Sequence, residues 1–215
     1  MIRDRLVRLL LAIGGASWAA CSAGGTSSEG SGGSGDVDGA GSGDASAATA
    51  DTSQPVEPGC NGSVELCGRR FNEVAYVTTH NAMSAQERQF RPPNQTYSIT
   101  HQLEAGVRGL MLDTHLFLNE PYLCHGVCDL GRQPLADGLG EIAAFLQKEP
   151  GAVVTIIFES YVEAEPTALA FEEAGLTPYL FVPHADGTWP TLGEMVDAGT
   201  RLVVLTDSGG GADPW

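Results

Sequence analysis

Two histidines, His80 and His125, close short apolar runs, and other polar residues close similar runs elsewhere in the chain. Asn81 follows His80, Asp113 and His115 end the run 106–116, Glu159 ends 152–160 and Asp207 ends 201–207. An imidazole changes charge near neutral pH, so two of them can act as base and acid in one reaction. Each such role is typically worth ~10²–10⁴ in rate. A lone histidine at a strand end is as readily a hydrogen-bonded structural residue. Several ionisable residues in step at strand ends point instead to one rim, because parallel α/β folds carry functional groups at the carboxyl ends of their strands.

The elements that must position them alternate along the chain. "EVAYVTTH" (73–80), "GVRGLMLDTHL" (106–116), "PYLCHG" (121–126), "AVVTIIFES" (152–160) and "RLVVLTD" (201–207) read as strands. Helical stretches separate them at 99–105, 137–148, 163–174 and 192–198. Short apolar runs alternating with helices predict an α/β fold whose parallel sheet is buried on both faces.

The remainder of the chain reads differently. Residues 1–21 form an export signal: Arg3, Arg5 and Arg8 lead a short apolar stretch that ends in small residues before Cys21. "SWAAC" is similar to a bacterial lipobox, with Trp18 where an aliphatic residue is usual, and this implies lipidation at Cys21 and an outer-membrane lipoprotein. An ordinary secretory signal leading to a periplasmic or extracellular protein is the alternative. Residues 22–59 are rich in Gly, Ser and acids and contain no Lys or Arg, so they read as a disordered tether. The whole chain carries 11 Lys+Arg against 27 Asp+Glu, which argues against nucleic acid as a partner. In the domain at 60–215 the even set Cys60, Cys67, Cys124 and Cys128 reads as local disulfides, Cys60 with Cys67 and Cys124 with Cys128. A four-Cys zinc site is the rival, but paired CxxC spacing is lacking.

"VTTHNAMS" (77–84), "GVRGLMLDTHL" (106–116), "YLCHGVC" (122–128) and "VVTIIFESYV" (153–162) resemble, in order and spacing, the catalytic X region of phosphatidylinositol-specific phospholipases C. The resemblance runs from about Cys60 to Asp207 and implies a TIM-like (β/α) barrel of the PLC-like phosphodiesterase type. It implies a phosphoric diester hydrolase acting on an inositol phospholipid, with His80 as base on the inositol 2-hydroxyl and His125 as acid on the glycerol oxygen. It further implies Ca²⁺ held by Asn81, Asp113 and Glu159, although Met111 stands where another acidic ligand is usual. Metal-independent members carry an Arg at the position of His115. His115 and Arg108 are the candidates for substrate contact. The related glycerophosphodiesterases favour His-Arg at the first strand and Glu-x-Asp at the second, which Asn81 and Met111 do not match.

Size is a departure from this pattern. A complete barrel takes ~250 residues, whereas residues 60–215 supply about five strands, so the expectation is a partial barrel from a longer enzyme. The competing reading is a non-catalytic surface lipoprotein that binds phospholipid head groups or protein.

Overall fold

Leu110, Leu112, Ile156, Phe158 and Val204 alternate along three strands and meet Leu139, Ile142, Ala143 and Leu146 of one helix, forming the main core. This computed structural model describes residues 59–207. In chain order the elements are α1 (Val64–Cys67), β1 (Thr78–Thr79), α2 (Ile99–Glu104), β2 (Gly109–Phe117), β3 (Glu120–Leu123), β4 (Gln133–Pro134), α3 (Leu135–Lys148), β5 (Val154–Ser160), α4 (Ala164–Glu173), α5 (Leu192–Ala198) and β6 (Leu202–Thr206), with short 3-10 turns between them. The helices fall where the sequence periodicity predicts them. In α3 the buried residues recur at helical spacing from Leu135 to Leu146, which makes one apolar stripe for the sheet. The Thr191–Glu194 capping box starts α5, and Gly199 at φ 73° ends it.

The strands form one sheet in the order β4-β3-β2-β5-β6, with β1 also pairing with β2. The pairs β1–β2, β2–β5 and β5–β6 are parallel. Because β5 holds one edge of β2 over Gly109–Thr114, β1 and β3 share the other, β1 at the start and β3 at the end. The close approach of β1 requires Gly109: a Cβ there would lie 2.2 Å from Thr78 Oγ1. The sheet face opposite α3 is covered near the strand starts by a second cluster containing Phe71, Val153, Phe181, Leu192, Met195 and Val203.

Two expectations are corrected. The strand expected over 73–80 shrinks to Thr78–Thr79. The stretch 121–126 is not a parallel barrel strand: β3 folds back antiparallel on β2 and is itself paired by β4. The reversal is a tight turn at Leu118 and Asn119, with φ of 52° and 66°, the positive pair that a two-residue hairpin demands. Disulfides join Cys60 to Cys67 and Cys124 to Cys128, which removes the zinc alternative.

Candidate active site

The fold-back of β3 is what brings His125 into position. Leu123 lies opposite Thr114, and the Cys124 amide donates to the Asp113 carbonyl at 3.2 Å. The next residue, His125, therefore emerges at the level of Asp113 and not past the far end of β2. On the other side, β1 ends at Thr79 and delivers His80 and Asn81 in turn; the Ala82 amide donates to the Met111 carbonyl at 2.9 Å.

Asn81 joins these segments. With its amide turned to serve both neighbours, its nitrogen donates to the Asp113 carboxylate at 3.0 and 3.2 Å, and its oxygen accepts from His125 Nε2 at 3.2 Å. Asn81 and Asp113 are buried, whereas His80 and His125 are exposed. Glu159 pairs in register with Asp113 across β2 and β5, so alternation puts both side chains on one face. The Ser160 amide donates to Asp207 Oδ1 at 3.2 Å, which fixes Asp207 beside the end of β5. Burial, reinforced by Glu159, pushes the Asp113 carboxyl up to about 6, while His125 and His80 pull in the opposite direction. The site is thus a buried acid ringed by two exposed acids and two imidazoles.

His115 lies two residues beyond Asp113 on the same face and stacks on Tyr161, with ring centroids 4.5 Å apart. Burial holds its imidazole below the ordinary histidine range. The Tyr161 hydroxyl donates to Glu159 Oε1, and that bond raises the phenol above its ordinary range. Tyr161 is exposed at the rim, not in the core where a sparse aromatic residue usually lies. Its place two residues after Glu159 was the usable signal. Trp189 is partly buried against the second core cluster, stacked on Phe71 and Phe181.

Arg108 is the residue that the fold does not bring to this rim. It precedes β2, at the opposite end of the sheet, where Nη1 donates to the carbonyls of Leu103 and Val107 at 2.7 and 2.8 Å and Nε donates to Asn61 Oδ1 at 3.1 Å. The guanidinium also sits over Phe145. These bonds make it a structural brace, and this corrects its assignment to substrate. His101 and His184 are exposed. Cys21 lies outside the described residues. Among the described residues no group of three or more His, Cys, Asp or Glu side chains is disposed to hold a metal ion; the set Asn81, Asp113 and Glu159 includes an amide.

The family model described as "PI-PLC X 1" matches residues 66–213. The chain belongs to the PI-PLC X-domain family. A PI-PLC X domain-containing protein of Arabidopsis thaliana is 40% identical over 157 residues, covering 65% of this chain and 37% of that one. An "Uncharacterized secreted protein" of Arthroderma benhamiae is 30% identical over 172 residues, covering 75% and 39%. The chain thus spans less than half the length of these curated relatives. A solved phosphatidylinositol-specific phospholipase C of S. aureus matches with TM-score 0.52 at 17% identity, over 69% of this chain and 54% of that one. That likeness is one of fold: the mixed sheet is that of a PI-PLC barrel, represented here by part of its strands.

Proposed function

We propose that this PI-PLC X domain is a phosphodiesterase that cleaves an inositol phospholipid or a related phosphodiester by general acid-base catalysis between His80 and His125. The observation that carries the reading is the Asn81 amide 3.2 Å from His125 Nε2 and bonded to Asp113. It gathers the two histidine-bearing segments around one carboxylate. His80 takes the proton of the inositol 2-hydroxyl as its oxygen attacks phosphorus, and His125 gives a proton to the departing glycerol oxygen, leaving a cyclic phosphodiester. Both imidazoles are exposed, as reaction at a lipid head group requires. His115 and Tyr161 line the rim beside them and are the groups offered to the head group.

Negative charge on the phosphoryl oxygens needs a cation, and the acids of the rim supply the wrong sign. The donor set fits Ca²⁺, a hard ion that takes oxygen ligands. When the Asn81 amide is turned the other way, its oxygen faces the Asp113 carboxylate with no proton between them, and Glu159 stands in register alongside. Asn81, Asp113 and Glu159 would hold the ion, which would supply charge stabilisation to the phosphate. The same amide cannot serve the ion and accept from His125 Nε2 together.

An exported location is supported by the signal-like residues 1–21, by two disulfides and by a relative named as a secreted protein. Lipidation at Cys21 would tether the domain to a membrane. No helix among the described residues is long and apolar enough to cross one.

The test is release of inositol phosphate from phosphatidylinositol vesicles by the wild type, His80→Ala and His125→Ala, each with Ca²⁺ and with chelator. Loss in both variants supports the pair as the catalysts. Undiminished release in either variant defeats the assigned pair, and no release by the wild type above the enzyme-free blank returns the chain to the non-catalytic, head-group-binding alternative.

A further inference from the structure

We propose that Gln102, a helix residue away from the rim, is the positioning residue that sets the geometry of the His80–Asn81 pair. Gln102 sits in α2 and is 5% exposed. Its Oε1 accepts from Thr79 Oγ1 at 2.6 Å. Its Nε2 donates to the Ala82 carbonyl at 2.8 Å and to the Tyr97 carbonyl at 2.7 Å. Thr79 immediately precedes His80, and Ala82 immediately follows Asn81. One buried carboxamide therefore grips the chain on both sides of the pair and also holds the far end of the loop at Tyr97.

The pair needs such a grip. Asn81 adopts φ 49°, a left-handed conformation that asparagine tolerates better than most residues but that neighbouring bonds must still hold in place. That turn lets two consecutive residues diverge, with Asn81 buried against Asp113 and His125 while His80 stays exposed. A second, outer bond runs from Gln95 Nε2 to the His80 carbonyl at 2.7 Å. Gln102 differs in being buried with every side-chain amide hydrogen used, so water cannot replace what it loses. Both flanking bonds reach the chain next to the pair and neither reaches the pair's own side chains, which separates positioning from catalysis.

This inference rests on the reading that His80 and Asn81 act on the phosphodiester, so its test carries a second readout. Gln102→Met keeps the length and removes all three bonds. Thr79→Val removes one bond, and Thr79→Ser keeps it. Hydrolysis kinetics on phosphatidylinositol, side-chain NMR of His80 and Asn81, and circular dichroism at the assay temperature are measured for each. Gln102→Met and Thr79→Val are expected to lower kcat by about 10–100-fold with KM nearly unchanged. Both should shift the His80 ring and Asn81 side-chain amide resonances, and Thr79→Ser should behave as wild type. If Gln102→Met does not fold, the Thr79 variants decide. Folded variants with unmoved His80 and Asn81 resonances overturn the proposal, whatever their stability. If the wild type cleaves nothing, the phosphodiesterase reading fails, and the resonances alone decide Gln102: shifted supports it, unmoved overturns it.

Discussion

At the amino-terminal ends of the strands, two arginines, Arg201 buried and Arg108 half-buried, are held by carbonyl oxygens; at the carboxyl ends, acids crowd one another. Arg108 precedes β2 and bonds Leu103 at the end of α2, and Arg201 precedes β6 and bonds Leu146, Glu149 and Ala152 at and beyond the end of α3. Each places positive charge on the negative pole of a helix and adds a donor to carbonyls at or just beyond its end. The opposite rim sets Asp113 beside Glu159, near Asp207, and bends Asn81 into a left-handed turn. One end is arranged to be stable, and the other gathers negative charge that a bound cation would offset.

The contrast can be broken most sharply at the histidines. His80→Ala and His125→Ala should each lose ~10²–10⁴ in kcat with an unchanged thermal midpoint. A substrate carrying an activated, nitrophenol-like leaving group should restore much of the His125→Ala loss and little of the His80→Ala loss, because such a group departs without an acid. Equal restoration in both would exchange or abolish the assigned roles.

The arginine end should show the reverse behaviour. Arg201→Met removes the bonds to Leu146, Glu149 and Ala152, of which only Glu149 keeps another donor, the Ala152 amide, and should cost about 2–4 kcal/mol in urea denaturation, with kcat per folded molecule unchanged. A loss of activity without loss of stability would contradict the division between the two ends.

Asp113 tests the same division from the rim. In the folded chain burial raises its carboxyl from 3.8 to about 6, so between those values the folded state binds more protons than the unfolded one. Stability contributed by this group is therefore present in acid and lost as pH rises through that window. With chelator present, Asp113→Asn should be more stable than wild type at pH 7.5 by about 2 kcal/mol, and its midpoint should vary less between pH 4 and 6. A less stable variant at pH 7.5 would show that the rim acid is not under strain.

The smallest effect belongs to an exposed cation on the same helix that Arg201 caps. Lys148 pairs with Glu104 at 3.0 Å in solvent, and Lys148→Ala should change stability by less than about 1 kcal/mol. A cost equal to that of Arg201→Met would mean that burial is not what separates them.

Much of this was legible in the residues. Helical spacing located α2 to α5, the even cysteine set gave both disulfides, and strand-end chemistry marked Asn81, Asp113, His125 and Glu159 before their contacts were known. The β3 reversal was not legible, because Leu118, 84% exposed at φ 52°, stands where a turn signal would have a glycine or asparagine. Arg108 was misassigned for a related reason: its partner Asn61 lies 47 residues away and becomes a neighbour only in the folded chain, where it also bonds Gly151 and Val153. Tyr161 carries no such mark, because an aromatic residue suggests core and only its place two residues after Glu159 suggests the rim.

The most direct measurement is ³¹P NMR of phosphatidylinositol vesicles incubated with the wild-type chain and Ca²⁺, beside His80→Ala. A cyclic phosphodiester resonance should grow with time for the wild type and be absent for the variant. No new resonance above the enzyme-free blank, or equal growth in both samples, would contradict it.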